Sequence, residues 1–272
     1  MIRMLLRTIF VSPFLLGAGA HAADLALKAP PRAIVTAPPW TGWYVGLNAG
    51  GNWGRSGGDT FYSCSDPDGV GCYSSAAYSV AINNLGAGQR FDTAGFTGGI
   101  QGGYNWQAGN WLLGLEADLD YFRSAGSRTV TAAAPFSNGT LSLTSSISTD
   151  WLFTFRPRVG VVVSNWLFYG TGGLAVSQLN GRWSFVHSNP FGPFTESASA
   201  SAVKAGWTVG AGFETMLADR WTVGAEYLYV KFDGVSATGN LVTPAALPRN
   251  DAFNHNADLS ANIVRLRLNK IF

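Results

Sequence analysis

The residues with the most chemistry to offer are ionisable side chains set at alternate positions in otherwise apolar segments. Glu116, Asp118 and Asp120 interleave with Leu115, Ala117, Leu119 and Tyr121, and Arg156 and Arg158 follow a similar spacing between Phe155 and Val159. Glu214 and Glu226 stand singly among alternating apolar residues, and Arg265 and Arg267 lie between Val264, Leu266 and Leu268. Successive side chains of a strand point to opposite faces, so each charge shares a face with other polar groups and turns its back on aliphatics. Five acids and four arginines arranged in this way suit one of two uses. They form a buried ion-pair network, in which an unpaired charge would cost several kcal/mol, or they line an aqueous path for ions.

Other candidate chemistry is sparse. A hydrolase or acyltransferase needs a nucleophile beside a positioned base, and beyond the N-terminal segment the histidines are His187 and His255. Asp251, Asp258 and Ser260 near His255 can be assembled into a triad on paper, but polar-loop composition explains them better, so no catalytic residue is assigned and no enzyme is expected. Gly170-Thr171-Gly172-Gly173-Leu174-Ala175 has the shape of a dinucleotide fingerprint without the helix that must follow it. Cys64 and Cys72 are the two cysteines; in an exported protein they read as a disulfide, since a metal would want more ligands. Trp183, Phe185, Phe191, Pro193 and Phe194 surround His187, a patch able to bind haem or a host surface. The preferred reading is that strands extend above the membrane and bury these aromatics on one another. No cofactor or metal is expected.

Charged residues make up 12% of the chain, about half the usual share. Residues 1–22 read as a secretory signal: Arg3 and Arg7, an apolar stretch from Thr8 to Ala20, and the small-residue site Ala20-His21-Ala22, with cleavage after Ala22 or Ala23. Without it the formal charge is zero, and the clustered Lys and Arg of a nucleic-acid footprint are missing. Residues 23–40, with Pro30, Pro31, Pro38 and Pro39, read as a Pro/Ala-rich linker.

The charges must therefore be positioned by residues 41–272. Alternation over Trp43–Trp53, Phe96–Trp106, Trp111–Tyr121, Trp151–Val163, Trp166–Ser177, Ala205–Met216, Trp221–Phe232 and the terminal strand gives eight strands. Each is near the length of a tilted membrane strand. Turns near 107–110, 164–165 and 218–220 are short, whereas 55–94, 122–148, 178–204 and 233–261 read as long loops. Pro157 should make a bulge or local break. Aromatics fall at two levels, Trp43, Trp106, Trp111, Trp166 and Trp221 at the short-turn ends and Trp53, Tyr121, Trp151, Trp207 and Tyr229 at the other, as membrane interfaces favour. The expected fold is all-β: an eight-stranded antiparallel transmembrane β-barrel with short periplasmic turns and long outer loops. The terminal strand should pair with Trp43–Trp53 to abolish both sheet edges. An eight-stranded barrel is just wide enough for side chains to fill, so the network should plug its lumen.

These residues also carry a family likeness. Trp40-Thr41-Gly42-Trp43-Tyr44-Val45-Gly46-Leu47-Asn48-Ala49-Gly50 resembles the opening of the Omp25/Omp31 (RopB-like) outer-membrane proteins of alphaproteobacteria. Phe96 to Trp106, Arg156 to Gly160, Tyr169 to Ala175 and Gly206 to Gly212 are similar to later strands of that family. The resemblance implies an OmpA-like barrel with a structural or surface-antigen role in a Gram-negative envelope, sometimes carrying a porin label. A narrow porin, or a loop-mediated haem or adhesion receptor, is the alternative. Expected partners are outer-membrane lipid, lipopolysaccharide and the outer-membrane assembly machinery, with no nucleic acid and with oligomeric state open. Phe272 resembles the terminal aromatic that this machinery reads, although Lys270 departs from the usual pattern and should snorkel to the headgroups.

Overall fold

A computed structural model describes residues 40–64, 76–190, 192–242 and 251–272. The expected signal and nearly all of the expected linker lie outside these residues. Trp40, which ended the expected linker, is instead buried at the short-turn end, its N–H donating to Gln107 Oε1 at 3.0 Å.

The strands are β1 (Gly42–Gly58), β2 (Thr60–Cys64), β3 (Gln89–Ala108), β4 (Trp111–Ala133), β5 (Thr140–Val163), β6 (Trp166–Ser188), β7 (Phe194–Met216), β8 (Trp221–Asn240) and β9 (Asp251–Ile271). Neighbours pair antiparallel from β3 to β9, and β1 pairs with both β3 and β9. The sheet thus closes on itself, leaving no membrane-level edge. β2 continues the register of β1 beyond Asp59, since Arg55 opposes Ser260 and Thr60 opposes His255. The ring therefore has eight staves, as the alternation implies.

The strands run well past the expected boundaries. Most of 122–148 and 178–204 is β-strand, as are parts of 55–94 and 233–261, and helix α1 (Ala76–Gly86) lies over the outer end. The reason is a reversal of polarity along each stave. Between the aromatic levels, Leu47, Ile100, Leu115, Val209 and Leu266 face outward and polar groups face inward. Beyond them many of the inward residues are apolar, such as Leu141, Leu143, Ile147, Leu179, Trp183, Phe185, Phe253 and Leu259, beside a few buried polar groups such as Glu196 and His255, while Ser142, Thr144, Asn180, Arg182 and Asn254 face out. Lipid wets the first segment and water the second, so one strand reads as two opposite patterns.

Outward aromatics stand at both levels, among them Trp43, Trp106, Trp111, Trp166 and Trp221 near the short turns and Trp53, Tyr121 and Trp207 opposite. Ten residues separate Trp43 from Trp53, and a strand tilted about 40° climbs about 25 Å over that span, the height of a barrel's apolar band. Pro157 leaves a local break rather than a bulge: β5–β6 pairing skips Arg156 and Pro157 but resumes in the same register at Arg158–Thr171.

Candidate functional site: the charged lumen

The interior is layered. At the short-turn end Trp40, Leu112, Val162, Leu167, Met216 and Ile271 form an apolar floor, and Tyr44 and Tyr169 belong to the same cluster. Above the charges lies a second apolar layer that includes Phe122, Leu152, Leu228 and Ile263. Tyr62, Ile82, Leu141, Phe185 and Phe253 close the outer end.

All nine ionisable residues singled out in the sequence point into the band between floor and roof, and all are buried. Arg156 Nη2 lies 2.7 Å from Glu116 Oε1 and 2.6 Å from Asp118 Oδ2, and its Nη1 is 3.3 Å from Glu226. Arg158 spans Glu116 at 3.4 Å and Glu214 at 3.0 Å. Arg265 reaches Asp118 at 3.0 Å, Asp120 at 2.8 Å and Glu226 at 2.6 Å. Arg267 contacts Glu116 and reaches Glu226 at 2.8 Å and Glu214 at 3.8 Å. Every guanidinium bridges at least two carboxylates, so no single pair can be removed without stranding another group.

Several neutral partners escaped sequence reasoning. Tyr169 donates to Glu226 Oε1 at 3.0 Å and accepts from Arg267 at 2.6 Å. Tyr44 donates to Glu116 Oε2 at 2.5 Å, and Arg158 sits 4.6 Å above its ring. Asn105 Oδ1 accepts from Arg158 Nε at 2.9 Å and Nη2 at 2.7 Å. Asn48 donates to Asp120, Thr154 to Asp118, and Thr222 and Asn269 to Glu214. Charge-assisted bonds of this kind fill the carboxylate lone pairs the arginines leave. Tyr44 was legible, since it alternates with Asn48 and Asn52 on the polar face. Tyr169 was not, because the glycines around it hide which way β6 faces.

The paper triad does not assemble. His255 Nδ1 bonds Thr60 Oγ1 at 2.8 Å and its Nε2 lies 3.2 Å from Glu196 Oε1, all three residues buried above the membrane band. Asp251 accepts instead from the Tyr62 hydroxyl, Asp258 Oδ1 from the Gly57 N–H, and Ser260 bonds the Arg55 carbonyl. Trp183 stacks on the His255 ring at 5.2 Å. His187 is buried between Tyr78 and Phe194, at centroid distances of 5.5 and 5.8 Å, so the described part of that aromatic cluster packs on itself, while Phe191 lies outside the described residues. Burial holds the His187 imidazole below its ordinary pKa. Cys64 is disulfide-bonded, and Cys72 lies outside the described residues. Phe272 is exposed on the lipid-facing side, its N–H bonded to the Trp43 carbonyl at 2.8 Å. Lys270 donates to the Asp219 carbonyl and lies 5.5 Å from the Trp221 ring centroid.

The family model and the sequence relatives agree with this architecture. The family described as "Outer membrane protein beta-barrel domain" matches residues 10–262. A 31 kDa outer-membrane immunogenic protein of Brucella melitensis is 33% identical over 220 residues, covering 77% of this chain and 80% of that one. A 22 kDa outer membrane protein of Rhizobium leguminosarum bv. viciae is 28% identical over 162 residues, covering 60% and 64%. Among solved structures, the outer membrane protein OprG of Pseudomonas aeruginosa superimposes with a TM-score of 0.41 at 11% identity, over 85% of this chain and 97% of that one. The chain belongs to the outer-membrane β-barrel proteins, and within them to the Omp25/Omp31 family.

Proposed function

We propose that this barrel serves the outer membrane as a structural, surface-displayed protein whose lumen is closed to solutes by its Arg–carboxylate network. The observation that carries the reading is the position of that network. Nine buried ionisable groups, each paired, lie between an apolar floor and an apolar roof. An ion entering would have to part these pairs, and stranding a buried charge costs about 3–5 kcal/mol. The outward display of the upper staves suits a surface antigen, and the Brucella relative's description as immunogenic supports the same reading. Phe272, exposed beside the short-turn rim, suits recognition by the assembly machinery. Proteoliposome swelling in small sugars tests closure: no swelling above protein-free vesicles is expected, and swelling that scales with protein content would overturn it.

A further inference from the structure

The lipid-facing wall is not uniformly filled. A groove of about 580 Å³ crosses β3 to β6 on the short-turn half of the membrane band. Two rows of outward residues define it: the paired row Trp106–Leu113–Val159–Gly170, and Tyr104–Leu115–Pro157, which Gly172 continues across the break in the β5–β6 pairing. Four strands at about 4.8 Å spacing make it about 14 Å across. At one end Gly170 and Gly172 present no side chain to fill it, and the β5–β6 pairing is broken beside Pro157.

Packing inside the protein does not demand glycine at Gly170. A Cβ there would come no nearer than 4.0 Å to the Gly210 carbonyl oxygen, whereas one on the inward-facing neighbour Gly173 would meet the Phe155 carbonyl oxygen at 2.2 Å. The empty space at Gly170 therefore lies outside the barrel, where only a membrane component can use it.

We infer that this groove holds one acyl chain of an inner-leaflet phospholipid. The groove offers a hydrocarbon lining and little for a headgroup. The Thr171 hydroxyl is committed to the Pro157 carbonyl at 2.9 Å, and the Arg158 guanidinium turns inward to Asn105 and Glu214. The volume falls in the range of small-ligand sites. Its depth, on the membrane side of Trp106 and Trp166, is that of fatty-acyl methylenes, with those indoles at headgroup level. A second barrel would bring a convex wall, which cannot enter a concave trough; a single chain can.

The test uses the full-length protein reconstituted in phosphatidylethanolamine vesicles containing a phosphatidylethanolamine with a diazirine-bearing palmitoyl chain. After irradiation, adducts should concentrate in residues 104–115 and 157–172. Gly170→Leu should reduce them severalfold, while Ala49→Leu, which places the same side chain on exposed lipid-facing wall elsewhere, should leave them unchanged. Adducts spread around the apolar belt in proportion to exposure would overturn the inference, as would undiminished labelling in Gly170→Leu. Protein–protein cross-links through the groove in place of lipid adducts would likewise overturn it, assigning the groove to a second copy. The wild-type adduct map decides the matter even if Gly170→Leu fails to fold.

Discussion

Glu226 and Arg265 oppose each other directly in the β8–β9 register, and their side chains meet inside the barrel with Arg265 Nε at 2.9 Å and Nη2 at 2.6 Å from Glu226 Oε2. The same carboxylate also engages Arg156, Arg267 and Tyr169. Glu226 thus meets three arginines and a tyrosine, as many partners as Glu116 has. Glu226→Ala should lower stability by about 3–5 kcal/mol because it strands buried guanidiniums. Glu226→Gln, which keeps acceptor capacity, should cost less. Urea unfolding in detergent micelles, followed by tryptophan fluorescence, measures both; equal and small losses would show that the network contributes little.

Tyr169→Phe isolates one hydroxyl. It removes the bridge between Arg267 and Glu226 but keeps the ring beneath Arg158. The expected loss is about 1–3 kcal/mol, the cost of leaving buried hydrogen-bonding groups short of a partner. The loss should shrink in a Glu226→Gln background, since contacting residues are not additive. A double-mutant cycle reads that coupling directly.

Above the membrane, Glu196 reaches His255 by passing over β8 at Gly239, where an added Cβ would lie 1.8 Å from Glu196 Oε1. Gly239→Val should push Glu196 off His255 and loosen the outer end while leaving the membrane band folded. Protease added to intact vesicles should then cleave the outer staves faster than in wild type, with the membrane-protected fragment unchanged in size. Identical cleavage rates would remove Glu196–His255 as a tie between β7 and β9.

His187 gives the outer end a pH dependence. Its folded pKa is depressed by burial, so the folded state binds fewer protons than the unfolded state once pH falls below the unfolded value of about 6.5. Its contribution is intact above about pH 6.5 and is lost as pH falls from there through the lower folded pKa. Thermal stability should therefore drop between pH 7 and pH 5, and His187→Phe should reduce that drop. An unchanged pH profile in the variant would assign the dependence to other groups.

The sequence made the membrane band legible because lipid outside and charge inside give strong alternation. Trp43–Trp53 and Trp111–Tyr121 display it, and the nine lumenal charges follow from it. It failed above the band for the reason that polarity reverses there. Leu141, Leu143 and Ile147 face inward among outward Ser and Thr, and this weaker pattern reads as polar loop. Register also lay beyond sequence: nothing local says that Glu226 opposes Arg265, or that His255 meets Thr60 and Glu196 rather than Asp258 and Ser260. The first depends on the β8–β9 register, and the Thr60–His255 contact on closure of the ring, which brings residues almost 200 positions apart together.

Planar-bilayer recording on the purified, refolded protein is the most direct test of a closed lumen. Wild type should give no steady current, and Glu226→Ala, which removes a carboxylate shared by three arginines, should raise the frequency of openings. A steady ohmic current through wild-type protein would contradict the account.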